Sequence, residues 1–98
     1  MNARTVEIVL VGRLSGKLTT IRFDLVCHPN ASIVEGQTFE IVAPGHESVR
    51  ATPMHGQVTN RSDGTTSARM MSVESDLAVV VPRLQRLPNV SNIRHGRF

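Results

Sequence analysis

The sequence predicts an α+β fold in which two helices back a four-stranded sheet in the order βαββαβ, and three observations carry that expectation. The last third of the chain reads as strand, helix and strand with short joints. The opening third couples a strand rich in β-branched residues to an apolar stripe at helical spacing. Between the second and third strands lies a polar stretch over residues 43–64, long enough to form a hairpin arm. With 98 residues the chain has room for one domain, 1–98.

Residues 4–12 (RTVEIVLVG) are nearly continuous in apolar character after Glu7, which suits a central strand covered at least partly on both faces. Residues 13–27 (RLSGKLTTIRFDLVC) admit two readings. As a helix, Leu18, Ile21 and Leu25 make an i, i+3, i+7 stripe that Val26 extends, with Ser15 as N-cap. As a strand, Ile21, Phe23, Leu25 and Cys27 face one side and Thr20, Arg22 and Asp24 the other, with Ser15-Gly16 as the turn. The β-branched Thr19, Thr20 and Ile21 favour the strand. The helix completes the βαββαβ order. The strand gives instead a β-meander, and with it a mostly β barrel or sandwich with one C-terminal helix.

His28-Pro-Asn-Ala-Ser marks a loop, and residues 35–44 read as a strand with Phe39, Ile41 and Ala43 on one side. The hairpin arm over 45–66 has room for short strands at 47–51 and 57–59. Residues 65–73 form the next strand. Ser75 and Asp76 offer an N-cap to a helix over 76–87, in which Leu77, Val80, Val81, Leu84 and Leu87 share a face. Pro82 opposes that helix, since an interior proline removes a hydrogen bond and costs about 3 kcal/mol. Pro88-Asn89 ends the element, and residues 89–95 read as the final strand.

Three Phe, no Tyr and no Trp leave an aliphatic core that a second copy would help to bury. The one cysteine, Cys27, has no intrachain partner, and residues 1–11 lack a signal-peptide pattern, so a cytoplasmic location is expected. Apolar runs fall far short of the roughly 20 residues a membrane helix needs. The net charge is +3, and after Asp76 the chain has four arginines and no acidic residue.

The tail, Leu84-Gln-Arg-Leu-Pro-Asn-Val-Ser-Asn-Ile93, and the opening turn with Gly16 and Leu18 resemble the ACT domain, a ferredoxin-like module, nearest in layout to the small subunits of acetolactate synthase. Arg13 stands where that family usually has Asp. The resemblance covers most of the chain outside residues 43–64. It implies a non-catalytic regulatory module that works as a homodimer, binds an amino acid and modulates a larger enzyme subunit. On that reading the ligand sits at the first strand-to-helix corner, against Arg13, Ser15, Gly16, Lys17 and Leu18. Free N–H groups at a helix start would take its carboxylate, Gly16 would allow close approach, and Arg13 and Lys17 would add donors.

No constellation for catalysis stands out. Cys27 and His28 are sequence neighbours that point to opposite sides of a strand. His28, His46, His55 and His95 lack metal-ligand spacing, and no phosphate loop or nucleophile elbow is present. No enzyme, metal or cofactor is therefore expected. The alternative function is a structural or interaction module, with nucleic acid as the partner of a basic surface built from Arg83, Arg86, Arg94 and Arg97.

Overall fold

The computed structural model describes residues 3–96. The chain runs β1 (Arg4–Leu14), β2 (Lys17–Cys27), β3 (Phe39–Ile41), β4 (Val49–Asn60), β5 (Thr66–Asp76), α1 (Leu77–Arg86) and β6 (Val90–Gly96). All six strands belong to one sheet in the order β3-β4-β5-β1-β2-β6. Only the β1–β5 pair is parallel. The sheet curls into a half-barrel with α1 against its inner face.

The βαββαβ sandwich is therefore corrected to a mostly β fold with one helix, nearer to the alternative barrel reading, although the sheet does not close. Residues 13–27 contain no helix. Ser15 (φ 52°) and Gly16 (φ 78°) both occupy the left-handed region, which gives a two-residue hairpin turn whose twist matches that of its strands. The register then runs without interruption from Leu14 opposite Lys17 to Arg4 opposite Cys27. Period-two alternation buries Ile21, Phe23 and Leu25 together, and it satisfies the β-branched Thr19, Thr20 and Ile21 as a helix would not.

A projecting hairpin arm over 45–66 is also absent. β4 is one long strand, interrupted between Pro53 and Val58, where four residues stand opposite the single Arg69 of β5. The loop before β3 fastens this bulge: Gly36 N–H donates to the Pro53 carbonyl at 2.9 Å, and Gly56 N–H donates to the Glu35 carboxylate.

The closing strand, helix and strand are present, joined across the sheet: β6 lies at the far edge, beyond β1 and β2 from β5. Asp76 caps α1 by accepting the Ala78 N–H at 3.0 Å, and the helix continues through Pro82, which lies on its exposed side. Leu77, Val80 and Leu84 of α1, with Leu87 beyond it, pack on Val6, Ile8 and Leu10 of β1, Met70 of β5 and Phe23 of β2. Gly12 lets β1 pass close beneath Leu77. Among the described residues no helix is long and apolar enough to cross a membrane.

Candidate functional site

Because α1 covers the inner face, the outer face of the sheet carries the other half of each strand's alternation. Residues directly paired across strands share a face, so the register assembles rows. One row reads Arg69 on β5, Val9 on β1, Arg22 on β2 and Arg94 on β6. Neighbouring strands lie about 4.8 Å apart, which makes this row about 14 Å long. The row on one side is Ser67, Glu7, Asp24 and Ser91; on the other it is Met71, Val11, Thr20 and Gly96.

Among the described residues no helix covers this face, yet Val9 is only 5 % exposed. Arg22 and Arg69 stand on either side of it and are half-buried, an arrangement in which guanidinium side chains lay their methylene stems over an apolar neighbour and keep their heads in water. At the end of the neighbouring row Gly96 lies close against Arg22: a Cβ there would stand 2.9 Å from its Nε.

The charges on this face are unevenly matched. Glu7 takes two guanidiniums, Arg94 Nη2 at 2.9 Å and Arg61 Nη2 at 3.1 Å, and also accepts a hydrogen bond from the Ser67 hydroxyl. Its side chain is 19 % exposed, so these contacts are shielded in part from water. Arg94 is further held by the Asn92 carbonyl at 2.9 Å. Arg22 lies directly opposite Arg94 on the neighbouring strand, a like-charge pairing that works against the sheet. Neither Arg22 nor Arg69 has an acidic partner among the described residues.

The five residues expected at a strand-to-helix corner lie instead at the end of a hairpin. Ser15 and Gly16 are the tip of the β1–β2 hairpin, flanked by the exposed Arg13, Lys17 and Leu18. Arg13 turns back on the Gly16 carbonyl at 3.3 Å. The only helix start among the described residues is at Leu77, and its Ala78 N–H is already taken by Asp76.

The expected basic surface is split. Arg83 and Arg86 sit in the last turn of α1, where Arg83 pairs with Glu47 at 3.1 Å beside a small cleft formed with Gly45 and His46. Arg94 belongs to the outer sheet face, and Arg97 lies outside the described residues. Among the described residues the chain's end thus contributes one arginine to a patch whose other members, Arg22, Arg69 and Arg61, come from β2, β5 and the turn after β4. Strand alternation signals that Arg22 and Arg69 point outward. Their placement on either side of Val9 rests on the parallel β1–β5 register, which no local pattern encodes.

Among the described residues no three of His, Cys, Asp and Glu converge as metal ligands. Cys27 is half-buried, and burial pushes its thiol up despite the opposing field of Arg4, which keeps it protonated at neutral pH. No family model, curated protein or solved structure matches this chain.

Proposed function

We propose that this protein is an interaction module that takes the phosphate backbone of a nucleic acid on the convex face of its sheet. The observation that supports this reading is the row Arg69, Val9, Arg22, Arg94, in which Arg22 stands directly opposite Arg94, Arg69 lies across Val9, and neither Arg22 nor Arg69 has an acidic partner among the described residues. Like charges gathered at a cost to the sheet are relieved by an external anion, and Arg presents a planar donor fork to phosphate. A row about 14 Å long suits repeated charges on a polymer better than one small anion. Phe23 and Phe39 belong to the inner face and its core, so the outer face offers no ring from them for base stacking, and binding would be indifferent to sequence. An amino-acid-binding regulatory role would need a site other than a strand-to-helix corner, since residues 12–18 form a hairpin end.

The test is fluorescence polarisation of labelled random-sequence DNA, single-stranded and duplex, between low and moderate salt. Three phosphate contacts give a slope of log K against log salt of about −2.7 for duplex and about −2.1 for single strands. Arg22→Ala and Arg69→Ala are each expected to flatten that slope by nearly one unit, whereas Arg83→Ala with Arg86→Ala leaves it unchanged. Absence of binding at low salt, or loss of binding only in the helix variant, refutes the proposal.

A further inference from the structure

The two borders of the arginine row differ in chemistry. On one side stand Glu7 and Asp24, paired across β1 and β2. Glu7 is taken up by Arg61 and Arg94, whereas Asp24 accepts a hydrogen bond from the Asn92 amide at 3.3 Å and has no Lys or Arg partner among the described residues. The row on the other side, Thr52, Met71, Val11, Thr20 and Gly96, contains no charged residue. Val11 is buried there and Met71 is 43 % exposed, so a thioether side chain stands open to solvent next to the guanidiniums. One row further, Arg13 lies between Asp76 and Leu18 and is turned onto the Gly16 carbonyl.

This pattern discriminates between forms of nucleic acid. A duplex carries two phosphate backbones separated by grooves about 6 and 12 Å wide, with its bases stacked between them. Successive residues on one face of a strand lie about 6.8 Å apart. A second backbone would therefore fall over Glu7 and Asp24 on one side, or over the Met71 and Arg13 rows on the other. Neither place offers it an arginine free of internal partners among the described residues. A single strand has one backbone, and its unstacked bases can lie on a surface beside it. Methionine sulfur makes favourable contacts with aromatic rings, and Met71 borders the row on its uncharged side.

We infer that the outer face takes a single-stranded polynucleotide in preference to a duplex, with phosphates on Arg69, Arg22 and Arg94 and a base turned away from Asp24 onto Met71. The inference rests on the nucleic-acid reading and adds to it the strandedness of the partner and the side on which its bases lie. Single-stranded DNA and RNA share this chemistry. Contact through the face of a base, whichever base it is, leaves binding indifferent to sequence.

The experiment compares labelled single-stranded DNA, RNA of the same sequence and the DNA duplex at one low salt concentration, on the whole chain and on Met71→Ala, with methyl NMR of the native complexes. The duplex has the denser charge, one per about 1.7 Å of its length, so electrostatics alone would place it first. A single strand is expected instead to bind about two- to tenfold more tightly than the duplex, the scale of one sulfur–ring contact. Whichever sugar shows that preference supports the inference and names the source. Met71→Ala is expected to lose the preference while keeping the salt slope and the duplex affinity. The Met71 methyl is expected to move upfield under the ring current of a base with the single strand and to stay in place with the duplex. If the variant does not fold, the native comparisons decide alone. Equal or tighter duplex binding overturns this inference and leaves the phosphate reading standing, as does a Met71→Ala variant that keeps the preference. Binding to none of the three overturns both.

Discussion

At Gly12 the backbone of β1 runs so near α1 that a methyl group would stand 2.8 Å from Leu77 Cγ and 3.0 Å from the Ser75 carbonyl. Leu77 is fully buried and cannot swing into solvent. Gly12→Ala is therefore expected to destabilise the fold by about 1–3 kcal/mol, the usual effect of overpacking. Urea unfolding would show a lower midpoint at constant slope; an unchanged midpoint would mean that the helix shifts freely. Gly16 is needed for a different reason: nothing lies within 4 Å of its missing Cβ, and its positive φ is what the turn requires. In the sequence both glycines look like parts of one ligand-binding turn. The duty of Gly12 depends on Ser75 and Leu77 arriving from far down the chain, whereas that of Gly16 is local to the hairpin. The alternation of Ile21, Phe23 and Leu25, by contrast, is legible directly and is borne out by their burial.

Among the elements, β1 and the closing strand, helix and strand were readable because each has one period only: continuous apolar character for a central strand, and spacings of three and four for α1. β2 was ambiguous because Leu18, Ile21 and Leu25 satisfy a helical stripe while Ile21, Phe23 and Leu25 satisfy a strand. β4 was concealed by its bulge, since three extra residues break the alternation of Val49, Ala51 and Pro53 before Val58 resumes it. Within α1, Pro82 lacks the N–H that would reach the carbonyl four residues earlier, and it is exposed. Pro82→Ala is expected to restore that bond and stabilise the protein by up to about 3 kcal/mol, read as a higher Tm. A lower Tm would show that the ring is part of the packing.

For the molecule as a whole, the charge count indicated a basic protein but not where its charge collects. The outer face gathers arginines from β2, β5, β6 and the turn after β4, two of them on Glu7, with Asp24 beside Glu7 in the same row. Glu7 competes with any external anion for Arg94 and Arg61. Glu7→Gln is expected to tighten nucleic-acid binding and steepen its salt dependence by about 0.9 for each phosphate newly contacted by a released arginine. Weaker binding in the same polarisation assay would instead show that Glu7 holds Arg94 in its working position. The parallel β1–β5 pair that creates this face also sets the order in which the protein forms. The β1–β2 hairpin is local and closes early, but the other edge of β1 waits for residues 66–76. Until they arrive, the apolar run through Val9 and Val11 is an unpaired edge open to other chains. Refolding is thereby governed by one distant strand closure, and its yield by protein concentration during that interval.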